Sequence, residues 1–252
     1  MRKKTLTRDR VIGNGWVKLE VITADMLKGY TAIGIRAFED CAVKEITLPE
    51  TIKAIHCYAF RLTKLKKVVL PETITDIWWR AFNSCKELEE VIFKGEKIEM
   101  LGYKCFAYCN NLKKINIPKN CSKIEDELFK GSPIITSKFE IQDYSKPVVA
   151  YKGFHKNMTC RGFQYKEGET YEFEGEPKLC ECGFHACLNP LDVFNYYPVF
   201  DTGCVYHEVI LESVSKERQR DTKVVGKKIT IGRELTKEEM IEIFNKKVNG
   251  EN

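Results

Sequence analysis

Five phenylalanines, Phe38, Phe60, Phe82, Phe106 and Phe129, recur at intervals of 22, 22, 24 and 23 residues. A fixed period of this length marks a stacked repeat, because one such unit cannot bury its own apolar face and a row of them can. The surrounding blocks align as IGIRAFEDCAVKEITLPETIKAI, HCYAFRLTKLKKVVLPETITDI, WWRAFNSCKELEEVIFKGEKIEML and GYKCFAYCNNLKKINIPKNCSKI. A truncated fifth reads EDELFKGSP.

Each block repeats one apolar set in register. Val43, Leu65, Leu88 and Leu112 follow the Phe, then Ile46, Val68, Val91 and Ile115, then Leu48, Leu70, Phe93 and Ile117. Ile55, Ile77, Leu101 and Ile124 close the units. Alternation such as Ile46-Thr47-Leu48 before Pro49, Pro71 or Pro118 predicts a short strand with a proline stop. The pattern, roughly IGxxAFxxCxxLxxIxLPxxI, resembles the BspA-type leucine-rich repeat over about residues 16–135. That resemblance implies a right-handed solenoid with one parallel sheet, and Trp16 to Tyr30 looks like an imperfect capping repeat. It also places Cys41, Cys85 and Cys109 (Thr63 in the second block) at the repeat's buried small-residue position, which argues packing rather than metal binding.

Residues between the core positions of each strand face outward, because strand side chains alternate. One outward row is Glu45, Lys67, Glu90, Lys114; the next is Thr47, Val69, Ile92, Asn116. Val69 and Ile92 are apolar on a face expected to be wet, which fits either strand propensity, cover from the rest of the chain, or a binding partner. Trp78 stands where other units have Gly34, His56 and Gly102, with Trp79 beside it. Tryptophan is enriched at binding hot spots and also packs well between units. A repeat surface with a few exposed aromatics is the pattern of a protein-binding scaffold.

Charge and composition narrow the class. Of 252 residues, 43% are hydrophobic and 31% charged, and no apolar run approaches the length of about 20 that spans a bilayer. Residues 1–135 carry 24 Lys and Arg against 17 Asp and Glu, the remainder 17 against 19. The basic half admits nucleic acid as an alternative partner, but its lysines alternate with glutamates as on a solvated surface. Eleven cysteines, an odd number, with no apolar stretch behind the basic N-terminus, are read as reduced thiols in a cytoplasmic protein.

After Gly131-Ser132-Pro133 the repeat stops. The expected organisation is a segment 1–15, a solenoid 16–135, a linker 136–147 and a smaller α+β domain 148–252. Val148–Phe154, Phe163–Tyr165, Tyr171–Phe173, Val205–Leu211 and Lys228–Ile231 read as strands, and Asn189-Pro190 opens a short helix. The C-terminal LTKEEMIEIFNKKVNG carries a capping box, Thr236 with Glu239, and an apolar face of Met240, Ile243, Phe244 and Val248. The run YKGF…CRGFQY…GFHACxNPLDVFNYY resembles an uncharacterised domain of phage and prophage proteins, which implies a mobile-element origin without an activity.

Two chemical readings attach to this half. Cys180, Cys182, His185 and Cys187 are zinc-ligand types, but C-x-C-x2-H-x-C lacks paired C-x2-C knuckles, so no metal is expected. Cys160 is the nearest further candidate, and a Cys/His nucleophile pair would use His185 or His207. The order of strands and of GFHAC is also distantly similar to ADP-ribosyltransferases. That similarity would put Tyr151 or Lys152, then His185, then Glu208 or Glu234, at catalytic positions of an NAD-binding domain. The first of these departs from the His or Arg of that family. The reading favoured is a non-enzymatic adaptor from a phage or related element, with no cofactor and no membrane association. Its solenoid would bind a host macromolecular complex, such as a defence system, through Lys67, Val69, Glu90, Ile92 and Lys114.

Overall fold

The computed structural model describes residues 4–198, 203–217 and 221–251. The chain divides into two units, Met1–Ile134 with Asn245–Asn252, and Ile135–Phe244. The first unit is a parallel β-solenoid. It opens with β1 (Thr5–Leu6), α1 (Arg8–Gly13), β2 (Val21–Ile22), β3 (Ala32–Ile33), β4 (Glu45–Ile46) and β5 (Ala54–Ile55). It continues through β6 (Lys67–Leu70), β7 (Asp76–Ile77), β8 (Glu90–Phe93), β9 (Met100–Leu101), β10 (Lys114–Ile115), β11 (Lys123–Ile124) and α2 (Pro133–Thr136).

The strands form two faces rather than the single sheet expected. A six-stranded parallel ladder runs β1-β3-β5-β7-β9-β11, and a second face holds β6-β8-β10 together with the pair β2-β4. Each coil of 22–24 residues makes two straight runs. The residues that close each repeat, Ile55, Ile77, Leu101 and Ile124, therefore build a ladder of their own. Residues 1–15, read as a segment ahead of the repeats, supply its first strand: Thr5 pairs with Ala32 and Leu6 with Ile33.

Between the faces, the five phenylalanines stack inside the coil with ring centroids 5.4, 5.1, 5.5 and 5.9 Å apart. Removing one such ring typically costs about 3–5 kcal/mol. Around the stack the backbone turns through left-handed residues in every coil: Arg36 and Asp40, Tyr58 and Leu62, Arg80 and Ser84, Lys104 and Tyr108, with φ between 53° and 62°. L-residues resist this conformation by roughly 1–2 kcal/mol each. What offsets it is a ladder of hydrogen bonds to the next coil, such as Arg36 N–H to Cys57 O (3.0 Å) and Asp40 N–H to Arg61 O (2.8 Å).

The repeat's small residue also takes part in this ladder. Cys85 Sγ donates to Phe60 O (3.0 Å), Cys109 Sγ to Phe82 O (3.2 Å), and Ser132, in the same position of the last coil, donates to Phe106 O (2.9 Å). Burial pushes the Cys85 thiol up to about 12, so it is a donor and not a nucleophile. Beyond β10, Asn245 meets the outer main chain: its amide donates to Ile117 O (2.7 Å) and accepts from Ile117 N–H (2.9 Å).

The second unit is a small β-barrel followed by a C-terminal helix, whose residues from Asn245 on belong to the first unit. Its elements are β12 (Val148–His155), β13 (Thr159–Cys160), β14 (Phe163–Gln164), β15 (Thr170–Glu172), β16 (Phe184–Cys187), a 3-10 helix at Pro190–Asn195, β17 (Cys204–Val214), β18 (Lys223–Leu235) and α3 (Lys237–Asn249). Neighbouring strands run β15-β18-β16-β12-β17, and β17 pairs back onto β18, which closes the ring. Ala150, Phe154, Val209, Leu211, Ile229 and Ile231 are fully buried.

Asn189 caps the 3-10 helix through Leu191 N–H (3.0 Å). The capping box of α3 forms in both directions: Glu239 N–H to Thr236 Oγ1 (3.1 Å), and Thr236 N–H to the Glu239 carboxylate (2.8 Å). Its buried face is Met240, Ile241, Phe244 and Val248, with Ile243 only half-buried. The sequence reading had Ile243 in place of Ile241.

Candidate functional site

Two features of the structure stand out, one in each unit. In the barrel, a cavity of about 890 Å³ opens among β12, β13, β15, β16 and the 3-10 helix. That volume lies within the range of small-molecule sites. One wall is aromatic: Tyr165 packs edge-on against Phe163 (4.7 Å) and Tyr171 (5.3 Å), and Phe184 closes the row at 6.3 Å. Gly153 makes room for Tyr197 on the same lining, because a Cβ there would lie 2.4 Å from that ring. This accounts for the glycine in YKGF.

Lys152 is the deepest charged group of the lining, 7% exposed. Its Nζ donates to His185 O (2.8 Å) and lies over the rings of Phe154 (5.5 Å) and Tyr165 (5.8 Å). Burial pulls its pKa below the usual lysine value. Among the described residues no carboxylate pairs with it. The carboxylates of the lining, Glu172, Glu174 and Glu181, are exposed at the rim, as is the guanidinium of Arg161.

The GFHAC motif supplies strand β16 from Phe184 to Cys187. His185 uses both ring nitrogens within the loop: Nε2 accepts from Cys180 N–H (2.8 Å), so Nδ1 carries the proton and faces Gly183 O (3.2 Å). Burial, with Lys152 nearby, lowers its pKa to about 4, which leaves it neutral. Among the described residues no three His, Cys, Asp or Glu side chains are arranged to hold a metal ion. Cys187 is buried on β16, Cys180 is exposed, and Cys160 accepts a hydrogen bond from Tyr197 Oη (3.0 Å).

Of the residues matched to transferase positions, Tyr151, Lys152 and His185 line the cavity. Glu208 and Glu234 do not. Glu208 stands across the β12–β17 ladder from Tyr151, and Glu234 across β17–β18 from His207. Burial, with Glu208 beside it, pushes the Tyr151 hydroxyl up to about 12. His207 lies inside the barrel with Nδ1 2.9 Å from Gly232 O and a buried Nε2 that meets no hydrogen-bond partner among the described residues.

In the solenoid, Lys67, Glu90 and Lys114 stand in register on β6, β8 and β10, and Val69 pairs with Ile92. Lys67 and Glu90 neutralise one another at 2.7 Å, while Val69 and Ile92 are half-buried. Glu45 pairs instead with Val21, on the two-stranded piece. Trp78 is half-buried and stacks on His56 (5.7 Å); Trp79 is 50% exposed.

Trp79 belongs to a surface that sequence reasoning saw only in part. On the turn side of the coils, Tyr58 lies under three guanidiniums, Arg36 (5.3 Å), Arg80 (5.7 Å) and Arg61 (5.8 Å). Arg80 also donates to Tyr58 Oη (2.9 Å) and reaches the Tyr103 ring, on which Lys104 sits at 4.4 Å. In the same turns Ile35 is 60% exposed, Tyr108 43% and Leu62 38%. The signal was present as the residues two before and two after each Phe, which vary between blocks and so fell outside the repeat consensus.

Comparison with known proteins gives two domain matches. Residues 21–151 match the BspA type leucine rich repeat region in six copies, and residues 148–243 match a domain of unknown function (DUF7666). No curated protein matches the chain. Among solved structures, the pneumococcal vaccine antigen PcpA is 23% identical with a TM-score of 0.41, covering 44% of this chain and 27% of that one. A leucine-rich repeat protein from Bacteroides ovatus is 26% identical with a TM-score of 0.38, covering 48% and 37%. A leucine rich cell surface protein from Faecalibacterium prausnitzii is 21% identical with a TM-score of 0.34, covering 47% and 40%. The chain thus spans well under half the length of each.

Proposed function

The chain belongs to the BspA type leucine-rich repeat family, and from that premise we propose that its solenoid binds a protein partner through the turn face around Tyr58. The observation that carries this is the cation–π ladder, in which Arg36, Arg61 and Arg80 share the Tyr58 ring. Guanidiniums already held against an aromatic ring lose less rotamer freedom on docking, and Arg, Tyr and Trp are the residues that dominate interface hot spots. The exposed Ile35, Leu62, Trp79 and Tyr108 add the apolar component. A partner that fits presents apolar side chains with carboxylates among them.

The strand face with Lys67, Val69, Glu90, Ile92 and Lys114 is the weaker surface, since it offers no aromatic anchor and its apolar residues are half covered; Lys67 pairs with Glu90 there, as Arg36 and Arg61 do with Glu39 on the turn face. The chain acts in this reading as a non-enzymatic adaptor. Cysteines used as buried packing residues, Cys85, Cys105, Cys109 and Cys187 among them, support a reducing compartment such as the cytoplasm. The narrower reading of a phage protein acting on a host defence complex rests on the resemblance of the second half alone.

The test is affinity capture with the intact chain from bacterial lysate, followed by the same capture with two variants. Arg36→Glu with Arg80→Glu and Trp79→Ala should abolish capture of a stoichiometric partner. Lys67→Glu with Lys114→Glu should leave it within a factor of about 3. The opposite pattern would move the site to the strand face. Capture unaffected by either variant would remove the solenoid from the interaction.

A further inference from the structure

We propose that the barrel cavity is a binding site for a small aromatic compound with one anionic group, which pairs with Lys152 while its planar body lies along Phe163, Tyr165, Tyr171 and Phe184. The argument starts from the lysine. An ammonium taken out of water loses hydration that only an opposite charge or a full set of hydrogen bonds restores. Lys152 has a hydrogen bond to the His185 carbonyl, the Cys160 thiol beside it and two ring faces beyond 5 Å, but no carboxylate. No carboxylate of the described residues reaches it, although the same lining holds three. A core position with no need of charge would be met by leucine or methionine at lower cost. The deep end of the cavity is therefore short of one negative charge.

The rest of the lining limits what brings that charge. The aromatic wall offers a stack of ring edges and faces with spacings of 4.7–6.3 Å, suited to a planar apolar body. Phe163 is a large apolar side chain of this lining that stays 46% exposed, which leaves its ring available to such a body. Glu172, Glu174 and Glu181 line the same cavity with Arg161 and Lys223, and Glu172 and Glu181 already face Lys227 (3.9 Å) and Lys178 (4.0 Å). One buried cation at the deep end selects a single anionic group on an aromatic frame, either a carboxylate or a monophosphate. The groups facing Lys152 are Cys160 and Arg161 from β13 and its turn, His185 and Cys187 from β16, and Tyr165. His207 stands across β17 from it. None supplies the missing charge.

Calorimetric titration of the full chain with four probes tests this: indole-3-carboxylate against indole, and AMP against adenosine. At least one charged probe should bind about tenfold or more tightly than its uncharged partner, the discrimination expected of a charge-assisted contact. Which pair discriminates identifies the anion as carboxylate or phosphate. Lys152→Met should reduce the charged probe to the affinity of the uncharged one, with the fold checked by circular dichroism. If that variant does not fold, Phe163→Ala, at an exposed position, should weaken all binding probes. Equal affinity within both pairs, no binding by any probe at millimolar concentration, or full binding by the lysine variant (by the phenylalanine variant if the first is unfolded) would overturn the proposal. So would ATP binding more tightly than AMP, which would make the ligand a polyphosphate.

Discussion

Glu127 shows how a single side chain is set by its neighbours in adjacent coils. Its carboxylate receives Lys104 Nζ (2.8 Å), Tyr103 Oη (2.9 Å) and Lys130 of its own turn. Partial burial raises its pKa, but these three donors outweigh that and hold the carboxyl at about 2, against an ordinary value of 4.5. A depressed carboxylate stabilises the fold fully above its unfolded pKa and loses that contribution as pH falls through the folded one. Glu127→Gln should therefore cost roughly 1–2 kcal/mol at neutral pH, the exposed part of the site being screened by solvent. The gap to the parent protein should close between about pH 4.5 and 2. Urea unfolding at neutral, mildly acidic and strongly acidic pH measures it. A gap that persists unchanged at the acid end would assign the effect to packing.

At the scale of elements, the barrel depends on two glycines of β18 where neighbouring backbone comes close. A Cβ on Gly232 would lie 2.8 Å from Glu208 O, and one on Gly226 3.0 Å from Glu212 O. Gly232→Ala should destabilise the protein by roughly 1–3 kcal/mol, through strain in the β17–β18 ladder rather than lost contacts. Thermal unfolding with and without the substitution decides it, and no change in melting temperature would show that the ladder yields freely. These glycines also explain what sequence could show. Gly226, Gly232 and the adjacent Lys227-Lys228 interrupt the alternation, so only Lys228–Ile231 read as strand, whereas β18 runs from Lys223 to Leu235. GFHAC is absent from the strands read in the sequence: Gly183 turns, with φ at +94°, and only the fold pairs Phe184 to Cys187 with Gly226 to Lys223. The solenoid was legible because its Phe, Cys and Leu positions recur in register across four blocks, so that the repeats reinforce one another. The turn-face ladder was not, since Arg36, Tyr58, Arg80 and Lys104 share a backbone conformation and not a residue type. The cavity was least legible of all: Lys152, Tyr165, Tyr171 and His185 meet only when the barrel closes.

For the whole molecule, the two proposed surfaces belong to different units and rest on different physics. The turn face offers paired arginines and apolar side chains at the surface, so its binding should weaken with salt only in part. The cavity uses one buried charge, screened far less by ions in solution. If each unit performs its role with its own residues, the two sets of substitutions should be separable. Arg36→Glu with Arg80→Glu and Trp79→Ala should leave affinity for the aromatic anion within a factor of about 2, and Lys152→Met should leave partner capture equally intact. Energies of changes more than about 10 Å apart with no shared partners usually add within 0.5 kcal/mol, which sets that margin. The measurement is a double-mutant cycle: titration of the anion and of the captured partner against the parent, each variant, and the two combined. Additive losses would make the chain a carrier of two independent sites. A coupling well above that margin, in either direction, would mean that occupancy of the barrel changes what the solenoid binds, and the chain would then be a ligand-responsive adaptor.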